Sequence, residues 1–280
     1  MDYQTLKPGD TGYPQRLIQR LGAQVPVLYS HGPLALLDRF TLAVAASDLI
    51  PGQAMLATNQ LLFTIRDYGI NYIGGWHSVM ETEIFRLALY RRNDPRCIRS
   101  LTLVSARGLE HEDWERFLAD RFGERGPFTG FPEKAEYLRC AANDQLLILS
   151  ITEPSLKKMT RANILGRNFT ACALADAVFI PFAEKGSKTY RLCKQVLAKG
   201  IPIFTTGCEE NQALFELGIQ GFQRNNVGEF LEILGATIHA TPAFPQPVEP
   251  VRVTLVAPDA APAKPAVSGQ AECSLSNKSA

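Results

Sequence analysis

Short apolar runs alternate with longer amphipathic ones along most of this chain. "FTLAVAAS" (Phe40 to Ser47), "INYIGG", "SLTLVSA", "QLLILSI", "DAVFIPF" and "IPIFTTG" read as buried strands, each bounded by turn residues. Between them, "GQAMLATNQLLFTIRDYG", "SVMETEIFRLALYRRND", "EHEDWERFLADRFGERG" and "SKTYRLCKQVLAKG" place apolar residues at helical spacing. In the third of these, Trp114, Phe117, Leu118 and Phe122 share one side. "SLKKMTRANILGRNFTACALA" continues the alternation, and "CEENQALFELG" and "NVGEFLEILG" close it as helices. A helical crossover returns the chain to the same edge of a sheet, so the pattern predicts an α/β fold. We expect a single Rossmann-like domain, a mostly parallel sheet with helices on both faces.

The two ends of the chain differ from this pattern. Residues 1–38 read as a short helical leader in which Leu17, Ile18 and Leu21 share a face before "PVLYSHG" extends away. "GERGPFTGFPEK" breaks the periodicity as a loop. From Ala236 the composition turns to Pro and Ala with few aromatics, which buries too little to offset the entropy of ordering. The expected division is therefore a leader, a domain over residues 39–235, and a mostly disordered tail over residues 236–280. Only "VRVTLVA" has strand character in that tail.

Composition narrows the function. With 280 residues and 46% hydrophobic content the chain has ample core, while a net charge of +1 and a pI of about 7.6 provide no global field for nucleic acid. A nucleic-acid role needs a local basic patch. No run is long and apolar enough for a bilayer and the first residues lack a signal-peptide pattern, so a cytoplasmic protein without membrane contact is expected. Six dispersed cysteines without C-x-x-C spacing read as reduced, structural thiols.

In a doubly wound sheet, ligands gather outside the carboxyl ends of the strands. The polar turns expected there are Ala46 to Gly52, Gly74 to Ser78, Ser105 to Glu110, Ile151 to Ser155 and Glu184 to Thr189. The last, "EKGSKT", is the best equipped. Lys185, Gly186, Ser187, Lys188 and Thr189 combine a glycine turn, hydroxyls and lysines where a helix starts, and a helix N-terminus attracts anions. The same turn is also an ordinary way to begin a helix after a strand. Walker A, G-x-G-x-x-G, H-E-x-x-H and G-x-S-x-G patterns are absent. Glu81 and Glu83 diverge on a helix, and Glu153 is a lone carboxylate at a strand end. No catalytic constellation, cofactor or metal is expected.

"RNFTACALADAVFIPFAEKGSKTY" resembles the central segment of the DNA-processing protein A (DprA/Smf) family, roughly R-N-R-I-I-A-G-L-S-D-A-V-L-V-V-E-A followed by a Ser-Gly-Ser turn. Arg167-Asn168 and Asp176-Ala177-Val178 stand at matching positions. The resemblance spreads from about Tyr13 to Gly221 through "YPQRLIQRL…PVLYSHG", "TLAVAAS", "INYIGG…ETEIFRLAL" and "LLILSITEP". It implies a Rossmann-like fold that binds single-stranded DNA at a basic pocket on the carboxyl edge, forms a homodimer, and assists a RecA-type recombinase in DNA uptake or recombination.

The chain departs from the family at several of these motifs. Ala46-Ser47-Asp48 replaces the family's Gly-Ser-Arg turn, Phe169 replaces the second arginine of Arg-Asn-Arg, and Glu81 and Phe85 fall where the family has Asp and His. Phe169 is read as core in preference to a base-stacking platform. The enzyme signature Pro-Gly-Gly-x-Gly-Thr found in a related nucleotide-cleaving group is missing. The expected function is non-enzymatic binding of single-stranded DNA through Ser47, Arg161, Arg167, Asn168, Lys185, Gly186, Ser187, Lys188 and Thr189. Two alternatives stay open: a sensor for a small nucleotide or other phosphorylated ligand in the same crevice, and a scaffold that binds neither.

Overall fold

The computed structural model describes residues 2–88, 99–122 and 134–237. Strand β1 (Gln4–Leu6), helix α1 (Gln15–Leu21) and strand β2 (Leu28–His31) lead into β3 (Thr41–Val44), α2 (Gly52–Thr64), β4 (Asn71–Gly74) and α3 (Val79–Ala88). There follow β5 (Ser100–Ser105), α4 (Trp114–Phe122), α5 (Lys134–Ala142), β6 (Leu146–Ser150) and α6 (Arg161–Leu174). The chain closes with β7 (Ala177–Phe179), α7 (Lys188–Leu197), β8 (Ile203–Thr206), α8 (Gln212–Phe215), β9 (Gln220–Phe222) and α9 (Val227–Ile233).

The strands form one sheet in the order β1-β2-β6-β5-β4-β3-β7-β8-β9. From β6 to β9 every pairing is parallel, with Ala43 opposite Ile73 and Val178 in register. The chain steps outward from β3 to β6, then returns through α6 to the other side of β3 and continues outward to β9. That reversal puts the switch point between β3 and β7, where a doubly wound sheet opens a crevice at its carboxyl edge.

Alternation along the strands builds the two layers. Leu42, Tyr72, Leu101, Leu103, Ile148 and Phe179 face one core, whereas Ala43, Ile73, Val104, Leu147, Leu149 and Val178 face the other. On the first face Phe85 stacks on Tyr137 with ring centroids 4.7 Å apart and packs near Trp76, Trp114 and Phe117. The second face carries α1, α6 and α7; Leu17, Cys172, Cys193 and Val196 are buried in it and Phe169 packs against it. Cys140, Cys172, Cys193 and Cys208 are free thiols, and burial pushes Cys193 up to about 12. Cys97 and Cys273 lie outside the described residues.

The leader is part of the domain rather than an appendage. β1 pairs antiparallel with β2 and β2 antiparallel with β6, two pairings that the sequence pattern did not reveal. Arg20 donates to the carbonyls of Ala173 (2.9 Å) and Ala175 (2.5 Å), and Arg16 to that of Leu174 (3.2 Å), so α1 satisfies the carbonyl end of α6. Arg16 also pairs with Asp176 at 2.9 Å, whose other oxygen accepts from the Thr41 amide at 2.8 Å. Asp176 thereby ties β7 to β3 at the amino edge. At the other end, Ala236 is buried and the Thr237 carbonyl accepts from the Gly69 amide at 3.1 Å, so the packed chain runs two residues past Gly235. The remainder of the expected tail, with "VRVTLVA", lies outside the described residues, as does nearly all of "GERGPFTGFPEK".

Candidate nucleic-acid interface

All five polar turns singled out in the sequence follow parallel strands and so stand together at the carboxyl edge. They are not equivalent. Between β3 and β4 the anion-accepting backbone is already occupied. Ser78 caps α3 by accepting from the Glu81 amide at 3.1 Å, and Glu81 reaches back to the amides of His77 (2.7 Å) and Ser78 (3.4 Å). This is a capping box, legible as S-x-x-E in "SVME". The second Glu81 oxygen accepts from the Ala46 amide at 3.0 Å, so one buried carboxylate closes the end of β3 onto the start of α3. Its role was missed because Glu81 was weighed as a partner for Glu83 rather than as a cap.

Arg167 lies beneath this turn. It is 3% exposed, its Nη1 donates to the Gly75 carbonyl at 3.4 Å and its Nε to Asn168 Oδ1 at 3.0 Å. A β-carbon on Gly75 would overlap the guanidinium, which explains the glycine there. Burial pushes Arg167 down to about 10, opposed by the Glu81 carboxylate, so it stays protonated at neutral pH. The structure therefore brings Arg167 and Asn168 together but under the crevice rather than on its rim. Trp76, just after Gly75, is buried with φ 57, an uncommon conformation for a non-glycine residue, and its indole nitrogen donates to the Thr102 carbonyl at 3.1 Å.

Positive groups above β4 and β5 are likewise engaged. Arg107 pairs with Asp120 at 2.9 Å, and Arg121 donates to the His77 carbonyl and, at 2.9 Å, to Thr82 Oγ1. Glu112 accepts from Ser105 Oγ at 3.0 Å, and burial pushes its carboxyl above the usual range. Toward β6, Tyr29 donates to Glu153 at 3.1 Å.

The starts of α6 and α7 are different. Thr160 caps α6, accepting from the Asn163 amide at 3.1 Å, and Asn163 Nδ2 reaches Thr152 Oγ1 (3.2 Å) and the Ala106 carbonyl (3.4 Å), which fixes the helix over the ends of β5 and β6. Ser187 caps α7, accepting from the Tyr190 amide at 3.0 Å after Gly186 turns the chain at φ 80. Neither helix has an acidic residue in its first turn, and each instead opens on a base, Arg161 or Lys188. Helix α3 has Glu81 in that place and α4 has Glu115. A cation at a helix N-terminus opposes the macrodipole by about 0.3–1 kcal/mol. Lys157, Lys158, Arg161 and Lys188 are exposed, and among the described residues no carboxylate pairs with them. Lys185 is exposed but bonded to Glu216 at 2.8 Å, which raises its pKa.

Ser47 sits at the switch point, where its amide donates to the Phe182 carbonyl at 3.4 Å. Its Oγ is enclosed and finds no hydrogen-bond partner among the described residues. Thr189 is buried. Of the nine expected site residues, the structure thus sets Arg161, Lys185, Gly186 and Lys188 on the surface, Ser47, Asn168 and Ser187 at half-burial, and Arg167 and Thr189 inside. Lys157 and Lys158 join the exposed group. Among the described residues no group of His, Cys, Asp and Glu is placed to hold a metal, and no helix is long and apolar enough to cross a membrane.

Comparison with known proteins identifies the architecture. No protein-family model matches the sequence, and no curated protein sequence does. Solved structures do match. DNA processing protein A from Streptococcus pneumoniae aligns at TM-score 0.61 and 16% identity, over 82% of this chain and 75% of that one. DNA processing protein A from Helicobacter pylori, whose structure concerns a unique single-stranded DNA binding mode, aligns at TM-score 0.60 and 20% identity, over 83% of this chain and 97% of that one. The fold is a divergent DprA-like one.

Proposed function

We propose that this DprA-like fold binds single-stranded DNA along its carboxyl edge, with the starts of α6 and α7 as its two phosphate contacts. The observation that carries the reading is the inverted charge of those helix starts. Two helices that begin at the same edge each place a base where their own dipole favours an acid, and an external anion removes that conflict. Lys157, Lys158, Arg161 and Lys188 supply the charge and the α7 turn supplies backbone amides, while Ser47, whose Oγ is enclosed, serves the switch point through its backbone. The likeness to the Helicobacter protein supports the same choice of ligand.

The spacing favours a strand over a mononucleotide. The start of α6 lies over β5 and β6 and that of α7 beyond β7, three to four strands away in the order β6-β5-β4-β3-β7. At about 4.8 Å per strand this is on the order of 14–19 Å, further than one phosphate reaches. A polynucleotide spans both starts. Within that reading, Arg167 acts as a positioning residue that braces Gly75, Asn168 holds Arg167, and Thr189 packs the first turn of α7. We place the protein among binding proteins rather than enzymes, acting in the cytoplasm and holding DNA for a RecA-type recombinase during uptake or recombination.

A second reading has one observation in its favour. Asp48, exposed at the end of β3, repels phosphate and suits a ligand with a hydroxyl donor such as a ribose. Titration of protein with labelled single-stranded DNA and with mononucleotides decides between them. Binding of the oligonucleotide alone supports the DNA reading, and binding of the mononucleotide alone supports the sensor.

A further inference from the structure

The turn after β4 fixes one exposed side chain, that of His77, in the middle of the carboxyl edge. Trp76, just before it, is buried at φ 57, a left-handed conformation that costs a bulky residue free energy, although Gly74 and Gly75 stand directly upstream. Its indole is anchored inward by the Thr102 carbonyl at 3.1 Å and by Phe85, with ring centroids 5.6 Å apart. His77 itself is exposed among the described residues. Its backbone is held from both sides, since the amide donates to Glu81 Oε2 at 2.7 Å and the carbonyl accepts from Arg121. Among the described residues these are its hydrogen bonds, and the ring makes none. Strain that the surroundings hold in place beside an exposed ring is the mark of a ring in use.

Place and charge limit what that ring can meet. β4 lies between β5 and β3, so a strand laid from the start of α6, over β5 and β6, to that of α7, beyond β7, passes over the turns that follow β4 and β3. Neither turn contains a lysine or an arginine. The arginines around His77 are committed: Arg107 to Asp120, Arg121 to the His77 carbonyl and Thr82, and buried Arg167 to Gly75 and Asn168. Asp48, exposed after β3, repels phosphate. His77 adds no charge of its own. Burial among its neighbours pushes its pKa below the ordinary value and the Arg167, Arg121 and Arg107 guanidiniums push it further, so the imidazole is neutral at pH 7. A residue both crowded and open to solvent lines the floor of a concavity. An uncharged flat ring near a carboxylate suits a base rather than a phosphate.

We propose that His77 stacks a nucleobase of the bound strand, which crosses the edge with its phosphates at the starts of α6 and α7 and its bases turned onto the ends of β4 and β3 between them. The inference rests on the DNA reading above and supplies what that reading lacks, a contact to bases. Every base has a π-face, so the contact selects unpaired bases without fixing a sequence.

The test is fluorescence anisotropy on full-length protein with two labelled oligonucleotides of about fifteen residues, one of thymidines and one abasic throughout, which carry the same backbone charge. Wild type should bind the thymidine strand about fivefold to a hundredfold more tightly than the abasic one. His77→Ala should cut that preference at least about fivefold and leave the slope of log K against log salt concentration unchanged, because a base contact is lost and no phosphate contact is. His77→Phe, which keeps a flat ring, should keep the preference. A change that acts through the fold weakens both strands alike and leaves their ratio where it was. An unchanged preference or a shallower salt slope in His77→Ala, or a preference lost in His77→Phe, overturns the inference, and tight binding of the thymidine strand by wild type then still upholds the DNA reading. A wild type that binds neither strand overturns both.

Discussion

Replacing both inverted bases with acids, Arg161→Glu together with Lys188→Glu, separates a fold role from a binding role by moving the two in opposite directions. Both residues open capped helices, α6 on Thr160 and α7 on Ser187, and both are exposed. A glutamate in the first turn contributes about 0.3–1 kcal/mol at low ionic strength, and removing the base relieves a similar cost. Summed over the two helices, the fold should gain about 1–4 kcal/mol. For a domain of this size that corresponds to a melting temperature about 2–16 °C higher. Binding should fall at the same time. Each lost phosphate contact is a charge-assisted hydrogen bond worth about 1.5–3 kcal/mol, so two of them weaken single-stranded DNA affinity by at least about a hundredfold at low salt. Fluorescence anisotropy with a labelled oligonucleotide and calorimetry on the same preparation read both quantities. A variant that melts lower than wild type, or one that binds DNA as before, refutes the reasoning.

Three further outcomes follow from the same contacts. Glu81→Gln removes a carboxylate that accepts three amides at the β3 and α3 junction and leaves buried donors poorly paired, so it should destabilise the fold by about 2–4 kcal/mol, measured by urea unfolding. Glu112, whose carboxyl burial raises, contributes stability that is complete below its unfolded pKa and is lost as pH rises through its folded one. Glu112→Gln should therefore melt at or above wild type at pH 7, and the difference should narrow as pH is lowered. Ending the chain after Thr237 should leave the melting temperature within a few degrees, whereas ending it after Gly235 should lower it further, because Ala236 is buried and Thr237 accepts the Gly69 amide.

The parts of this fold that could be read from sequence are those whose signal is local. The six central strands each bury both faces, so they appear as uninterrupted apolar runs such as "LLILS", and the helices between them repeat at helical spacing. β1, β2 and β9 are three or four residues long at or near the sheet's edges, and their pairing depends on distant partners such as Ser150 for Tyr29. α5 escaped notice because "KAEYLRCAA" follows a Gly/Pro-rich stretch and mixes polar residues with buried Tyr137 and Cys140. Site residues divide in the same manner. The Ser187 cap and the basic α6 and α7 starts are sequence-local features. Which arginines are committed is not, since Arg107 pairs with Asp120 thirteen residues away and Arg167 with a carbonyl ninety-two residues away.

The salt dependence of single-stranded DNA binding tests the central claim most directly. Neutralising Z phosphates on a single strand gives a slope of about −0.7Z in log K against log salt concentration. If Lys157, Lys158, Arg161 and Lys188 all face the strand, Z is about four and the slope is about −3. An oligonucleotide of about fifteen residues should show that slope, and a dinucleotide, too short to join the starts of α6 and α7, should bind far more weakly with a slope near −1. A slope near −1 for both ligands, or equal affinity for the two, contradicts a strand laid along the carboxyl edge.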